Sequence, residues 1–211
     1  MASSGMLLAL FLLAHVAGNL VILLSASKFN EYAHMLTSNL PLLYAAEAGL
    51  IAITLIHIAV AIQITRMNKT ARPIAYQVKQ NTGRSRRWWG SSNMGITGTF
   101  ILLFIIYHIL HFKFGANYTT IENGVEVRDL ARLVFEEFKE PFEVGLYVVA
   151  MILIGMHLMH GFRSIWDTMG LNDSKRDCLI KNATRLYVVL VFGGFLAIPL
   201  WIFFFGLQYL L

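Results

Sequence analysis

Five long apolar stretches, separated by polar connections, dominate the chain. They run approximately over residues 5–26, 40–64, 95–114, 142–162 and 186–211. Each is close to the roughly 20 residues that an α-helix needs to cross a hydrocarbon core about 30 Å thick. The pattern predicts an all-α membrane protein in which five transmembrane helices form one bundle, and in which residues 1–211 form a single domain.

The composition agrees with a membrane location and limits the chemistry. Of the 211 residues, 57% are hydrophobic and only 14% are charged, a balance unusual for a soluble domain. The single cysteine, Cys178, cannot form an internal disulfide, hold an iron–sulfur cluster alone or attach haem covalently. Any haem would therefore be held non-covalently.

Charge in the connections predicts how the bundle is oriented. Between the second and third stretches lie seven basic residues and no acidic one: Arg66, Lys69, Arg72, Lys79, Arg84, Arg86 and Arg87. The positive-inside rule places this connection in the cytoplasm. The basic connection between the fourth and fifth stretches falls on the same side, so the amino terminus is expected inside.

The connection over residues 115–140 is richer in acids and is expected outside. Its apolar residues recur at helical spacing: Val127, Leu130, Ala131, Val134, Phe135 and Phe138. This spacing predicts a short amphipathic helix resting on the outer membrane surface.

Histidines are concentrated in the apolar stretches, where a polar imidazole is costly without a partner. Six of the seven lie there: His15, His57, His108, His111, His157 and His160. Each could simply hydrogen-bond to a neighbouring helix. Because four different helices each carry at least one, the distribution favours a bound group.

The depths of four histidines, at about 1.5 Å per residue from the inner helix ends, fall at two levels. His15 and His108 lie roughly 17 and 22 Å deep, whereas His57 and His157 lie roughly 14 and 9 Å deep. The depths favour pairing His15 with His108 and His57 with His157. Pairing His15 with His57 would leave the other two histidines about 13 Å apart along the membrane normal.

Neutral imidazole suits haem iron, zinc or copper. Glu47 and the boundary residue Glu143 are the only carboxylates of these stretches, which disfavours a di-iron carboxylate site. Histidines three residues apart could formally hold a metal from one helix, as in some membrane desaturases. Two such pairs exist, His108 with His111 and His157 with His160.

A short internal repeat is shared by the first and third stretches. Gly5 precedes His15 by ten residues, and Gly98 precedes His108 by ten, each glycine following a serine or threonine. The two helices are therefore expected to have similar roles.

Four segments carry a resemblance through their order and spacing. They are SSGMLLALFLLAH ending at His15, LPLLYAAEAGLIAITLIH ending at His57, GITGTFILLFIIYH ending at His108, and HLMHGFRSIWDTMG beginning at His157. In this respect the chain resembles the dihaem cytochrome b membrane anchor of succinate:quinone oxidoreductases and fumarate reductases, of the single-polypeptide, five-helix type. The resemblance spans nearly the whole chain.

The resemblance implies two b-type haems with histidine axial ligands. His15 and His108 would ligate the distal haem iron, and His57 and His157 the proximal one. His111 and His160 would then be spare, forming hydrogen bonds or lining a haem edge. Glycines near the ligands, Gly18 and Gly161, would let the flat macrocycle approach a helix backbone.

Further site residues follow from the same resemblance. Candidate propionate contacts near the membrane edge are Ser3, Ser4, Arg87, Ser92 and Arg163, although the arginines could be ordinary positive-inside anchors. Candidates for a quinone or proton path are Glu31, His34 and Glu47. The first two could equally be solvated loop residues, and Glu47 could form an interhelical hydrogen bond. A second quinone location, near residues 84–92, stays open.

The function implied by the resemblance is that of a multi-pass anchor in a prokaryotic cytoplasmic (inner) membrane. The chain would relay electrons from an iron–sulfur subunit, docked with an FAD-containing flavoprotein on the cytoplasmic face, through two haems to a quinone, with menaquinone favoured. The chain alone would not oxidise succinate, and no nucleic-acid partner is expected. An oligomer of the whole complex stays open.

Three alternatives remain open beside succinate oxidation. One is the anchor of a fumarate reductase, and another is the dihaem cytochrome b of a hydrogenase or formate dehydrogenase. A third, of a different class, is a haem-free transporter or membrane metalloenzyme with histidines in a substrate path.

Overall fold

Helices dominate the computed structural model, which describes residues 1–71 and 93–206. The elements in chain order are α1 (Ala2–Leu20), a 3₁₀ turn (Val21–Leu23), α2 (Ala26–Thr37), α3 (Leu40–Thr70), α4 (Met94–Phe112), β1 (Thr119–Glu122), β2 (Val125–Arg128), α5 (Leu130–Glu137), α6 (Pro141–Thr168) and α7 (Asp177–Phe205).

Five helices of the described residues are long and apolar enough to cross a membrane: α1 with its 3₁₀ turn, α3, α4, α6 and α7. This confirms the predicted all-α membrane protein. Several helices extend beyond the predicted apolar stretches, and α7 begins at Asp177 rather than near residue 186. Backbone hydrogen bonds continue through the polar residues that flank an apolar run, so the stretch underestimates the helix. The predicted end of the last helix lies outside the described residues.

The best-buried part of the bundle lies where α1, α6 and α7 meet. Ala150 of α6 and Val191 of α7 are completely buried. Gly194 lets α1 approach α7 closely, because a Cβ atom there would lie 2.6 Å from the Val16 side chain. A close three-helix contact therefore forms the rigid part of the bundle.

One end of the bundle carries a cap, formed by α2, an antiparallel β1–β2 hairpin and α5. The side chain of Ser25 caps α2 by accepting a hydrogen bond from the Lys28 amide at 3.3 Å. The hairpin turns at Asn123 and Gly124, whose φ angles are 52° and 80°. Both angles are positive, as two-residue Asn-Gly hairpin turns require. Neither α2 nor the hairpin was predicted from the sequence.

The predicted amphipathic helix of the 115–140 connection exists, but its start and its surroundings differ from the prediction. It begins at Leu130, and Val127 belongs to β2. Its apolar residues are buried within the protein, including Ala131, Val134 and Phe135. The apolar face is thus covered by α2 and the bundle, so the expectation that it rests on lipid was wrong.

Asn30 joins α2 to the start of α5 and is only 2% exposed. Its side-chain amide donates to Asp129 Oδ1 at 2.8 Å. Its carbonyl oxygen accepts from the Ala131 amide, also at 2.8 Å. Asp129 in turn accepts a bond from the Arg132 amide at 3.1 Å and thereby caps α5.

Asn30→Ala is expected to lower the free energy of unfolding by about 2–3 kcal/mol, because a buried amide and a carboxylate lose their partner. Denaturant unfolding of the purified protein in detergent measures this. The neighbouring Glu31→Ala removes an exposed side chain bonded to Asn123, so it should change stability by at most about 0.5 kcal/mol. Equal effects of the two variants would show that Asn30 does not hold the cap.

Candidate functional site

Four membrane-spanning helices surround the histidines. Helix α1 packs against α3, α6 and α7, and α4 packs against α6. Across residues 1–71 and 93–206, however, α1 does not pack closely along α4, and α3 does not pack closely along α6. No residue in the most apolar window of α3 is buried. Two pairs of helices are therefore held apart, and histidines face each other across both separations.

His15 of α1 and His108 of α4 form the pair nearer the cap, here named the upper pair. Their ring centroids are 6.1 Å apart, with ring planes at 88°. Phe11 stacks on His15 at 5.2 Å, and Phe195 of α7 lies 5.6 Å from it. Apolar rings thus hold the imidazole in a half-buried position on its helix.

His57 of α3 and His157 of α6 form the lower pair, farther from the cap. Their ring centroids lie 6.5 Å apart, with ring planes at 64°. The structure therefore brings together the same pairs that helix depth predicted. Whether these imidazoles ligate haem iron stays a prediction.

The spacing within each pair distinguishes two possible roles. Two imidazoles joined by a direct hydrogen bond would have centroids roughly 5.1 Å apart, given a donor–acceptor distance of about 2.9 Å. Two imidazoles on opposite sides of one metal atom would have centroids roughly 6.2 Å apart, given metal–nitrogen bonds of about 2.0 Å. The observed 6.1 and 6.5 Å fit the second arrangement.

In residues 1–71 and 93–206, no third histidine, cysteine or carboxylate side chain is placed to share a metal ion with either pair. Within the described residues, the only group of three or more His, Cys, Asp or Glu side chains placed to share an ion is a different one. A structural zinc ion usually takes four protein ligands, and a catalytic zinc ion three. Two opposed imidazoles without further protein ligands suit a metal whose other ligands come from a cofactor, as in haem.

A hydroxyl group lies beside Nδ1 of each histidine in the lower pair. Ser4 Oγ lies 3.3 Å from Nδ1 of His57, and Thr97 Oγ1 lies 3.2 Å from Nδ1 of His157. Each hydroxyl donates its own proton to a backbone carbonyl, Ser4 to Met1 at 3.0 Å and Thr97 to Met94 at 3.2 Å. With its proton directed to the carbonyl, each hydroxyl oxygen can accept a hydrogen bond from a protonated Nδ1, and that tautomer would leave the lone pair of Nε2 available to a metal.

The upper pair has different neighbours at the same ring atom. The hydroxyl of Tyr147, from α6, lies 2.9 Å from Nδ1 of His108. The Asn19 amide donates to the backbone carbonyl of His15 at 2.8 Å and lies 3.4 Å from Nδ1 of that histidine. Tyr147 is 7% exposed, so its hydroxyl orients His108 from inside the bundle.

The structure shows which histidines the glycines of the internal repeat face. Gly5 and Gly98 do not face the histidines ten residues after them but those of the lower pair. A Cβ atom at Gly5 would lie 3.6 Å from the His57 ring, and one at Gly98 would lie 3.6 Å from the His157 ring. Helices α1 and α4 therefore each give a histidine to the upper pair, and a hydroxyl with a glycine to the lower pair.

The predicted propionate contacts are only partly described. Ser3 is exposed at the start of α1, whereas its neighbour Ser4 is buried against His57. Arg163 donates to Asp177 at 2.9 Å, so its charge is shared with an acid. Arg87 and Ser92 lie outside the described residues. A propionate role for any of these residues stays a prediction.

The predicted quinone or proton-path residues all lie toward the capped end but do not meet at one site. Glu31 is exposed on α2 and accepts a hydrogen bond from Asn123 at 2.7 Å. His34 is exposed in the last turn of α2. Glu47 forms an ion pair with Lys113 just beyond α4. Their proposed role stays a prediction, and the alternative segment 84–92 lies outside the described residues.

The two glycines assigned to a macrocycle have other surroundings in this structure. A Cβ atom at Gly18 would come within 2.6 Å of the Tyr32 ring, so this glycine makes room for α2. At Gly161 a Cβ atom would meet only the end of Met94, at 3.9 Å. Gly18 therefore serves the packing of the cap, and Gly161 leaves space beside α6.

Sequence reasoning missed the groups that orient the histidines. The resemblance suggests only a propionate contact for Ser4, and it gives no role to Thr97 or Tyr147. The sequence does contain a signal for Ser4 and Thr97, because a hydroxyl residue precedes each glycine of the internal repeat. Tyr147 is one of several tyrosines in the chain, and its position opposite His108 depends on how α4 and α6 pack.

Comparisons with known proteins provide no identification. Neither protein-family models, nor curated proteins, nor solved structures yield a match to this chain.

Proposed function

We propose that this chain is the membrane-anchor cytochrome b subunit of a succinate:quinone oxidoreductase, with two b-type haems held between its helices. The main support is the geometry of the two histidine pairs. The ring centroids of the two pairs are 6.1 and 6.5 Å apart, a spacing that would leave room for one metal atom between the imidazoles. Each pair lies between helices that do not pack closely, and no third protein ligand is placed beside it within the described residues.

One pair of histidines would hold a haem at each of the two levels. Haem iron, when bound, supplies a one-electron redox centre at each level. His15 and His108 would hold the upper group, and His57 and His157 the lower one, through Nε2. Ser4 and Thr97 would keep Nδ1 of the lower imidazoles protonated and their rings oriented. Apolar side chains of the surrounding helices would exclude water from the haems, and this exclusion would help to set their reduction potentials.

The reaction partners rest on the sequence resemblance. An FAD-containing flavoprotein would oxidise succinate, and an iron–sulfur subunit would pass the electrons to the lower haem from the cytoplasmic face. By the positive-inside rule, the amino terminus and the basic 66–90 connection would lie in the cytoplasm. The connection would there contact the iron–sulfur subunit. The upper haem would pass electrons toward a quinone, with menaquinone preferred.

A haem assay on the complex purified in mild detergent tests the cofactor. A pyridine haemochrome measurement, referred to the amount of this chain, should give two b haems per polypeptide. A reduced-minus-oxidised spectrum should show b-type bands. A colourless chain with its native lipids and partners intact would refute the haem proposal.

Copurifying cofactors test the partner assignment separately. Flavin in the complex, with succinate-dependent reduction of the haems, is the expected result. Nickel or molybdenum instead would assign the chain to a hydrogenase or formate dehydrogenase while leaving the haem sites intact. Fumarate reduction with negligible succinate oxidation would reverse the assigned direction.

A further inference from the structure

A second cluster of metal-ligating side chains lies at the capped end, apart from both histidine pairs. It joins His111 of α4, Glu137 of α5 and Glu143 in the first turn of α6. One ligand atom from each residue lies within 4.8 Å of the other two. All three side chains are half-buried, so the cluster is within reach of the aqueous phase.

His111 is held in the form that binds metals. Its Nδ1 lies 3.1 Å from the backbone carbonyl of Tyr107. Because a carbonyl can only accept a hydrogen bond, Nδ1 carries the proton and Nε2 keeps a free lone pair. The imidazole also rests on the Tyr107 ring, with centroids 3.9 Å apart, so little side-chain freedom is left to lose on binding.

The Tyr107 side chain also positions one of the carboxylates. Its hydroxyl donates to Glu143 Oε1 at 2.5 Å, which leaves Oε2 of that carboxylate for another partner. Tyr107 therefore links two of the three candidate ligands and keeps them on the same side of α4. Such outer hydrogen bonds orient ligands in known metal sites.

The two carboxylates of the cluster, Glu137 and Glu143, have no lysine or arginine partner in the part of the chain that the structure describes. The ligand oxygen atoms of the two carboxylates lie within 4.8 Å of each other, close enough for their negative charges to repel. A divalent cation between the carboxylates would relieve this repulsion.

We propose that His111, Glu137 and Glu143 form a binding site for a divalent transition-metal ion of the Zn²⁺ type. Imidazole nitrogen and carboxylate oxygen both bind zinc, and catalytic zinc sites combine three protein ligands with a water molecule in the fourth position. The imidazole disfavours Ca²⁺ and Mg²⁺, which prefer oxygen ligands throughout.

The position of the site gives it a structural consequence. His111 follows His108 of the upper pair by three residues on the same helix, so the ion would lie just above that pair. It would connect α4, α5 and α6, and so fasten the cap to two of the helices that surround the upper separation. The site does not depend on the haem proposal, because its ligands are distinct from the four paired histidines.

Metal analysis of the purified full-length protein in detergent tests the site. After treatment with EDTA, the protein is dialysed against micromolar Zn²⁺, and bound zinc is measured by mass spectrometry. We expect one zinc per chain, and at least about tenfold weaker binding in His111→Ala, Glu137→Gln and Glu143→Gln. Haem content, measured on the same samples, should stay unchanged.

Two matched variants control for charge and for surface histidines. Glu140→Gln removes an exposed carboxylate between the two ligands, and His34→Ala removes an exposed imidazole at the same end of the bundle. Both should bind zinc like the unmodified protein. Zinc binding that is absent, or that the three ligand variants do not weaken relative to these controls, would overturn the proposal.

Discussion

Replacing His157 with alanine is expected to reduce the haem content of the purified chain from two haems to one. The lower pair would lose one of its two ligands, and His57 alone would be left to hold the lower haem iron. The upper pair is carried by α1 and α4, whereas the lower pair is carried by α3 and α6, so the upper site should keep its haem. Haemochrome analysis per polypeptide measures the change.

His160→Ala is the matched control for this prediction. His160 lies three residues after His157 on the same helix, and the resemblance gives it no ligand role. The control should retain two haems, and His57→Ala should behave like His157→Ala. Loss of haem in the control but not in His157→Ala would exchange the roles of the two histidines and contradict the pairing across α3 and α6.

The levels of the histidines could be predicted because helix geometry is nearly independent of side chains. A fixed rise of about 1.5 Å per residue converts a position in an apolar stretch into a depth. Depth alone selected His15 with His108 and His57 with His157, and both pairs are close in the structure. The same rule says nothing about which helices pack side by side, so the separations between α1 and α4 and between α3 and α6 could not be predicted.

The cap was missed for a different reason. The Asn123-Gly124 turn is a strong hairpin signal between alternating residues, but the apolar residues from Val127 onward also fit a helical spacing. Helix α2 begins at a recognisable serine cap, but its polar residues, such as Glu31 and His34, are also typical of a solvated loop. Helix α2 packs against both the hairpin and α5, and its bonds to α5 include those of Asn30. Local sequence patterns do not reveal these contacts.

The metal cluster shows the same limit. His111 was expected to be spare, and Glu143 was noted only as a carboxylate at a helix boundary. Glu137 lies in a separate short helix, and only the packing of α5 on the bundle brings its carboxylate near the other two. A three-residue site drawn from three helices leaves no spacing signal in a single sequence.

Thr97→Val is expected to weaken retention of the lower haem by roughly 10- to 100-fold while leaving the upper haem in place. Valine matches the shape of threonine, and Thr97 is completely buried, so the change removes only the hydroxyl. Nδ1 of His157 would lose its acceptor, and a buried donor without a partner costs about 1–3 kcal/mol. Ser4→Ala should act in the same direction through His57.

Spectroscopic and potentiometric measurements distinguish this positioning role from a general loss of stability. An imidazole that donates from Nδ1 is a more basic ligand and favours oxidised iron, so Thr97→Val should raise the midpoint potential of the lower haem. Low-temperature EPR should change for that haem alone, because the ring plane of His157 would no longer be fixed. Thr97→Ser retains a hydroxyl at this position, so the midpoint potential and the EPR spectrum of its lower haem should match those of the unmodified protein. Thr99→Val, which removes a hydroxyl bonded to the Gly95 carbonyl at 2.9 Å, should leave both unchanged, and an equal shift in that variant would refute the role of Thr97.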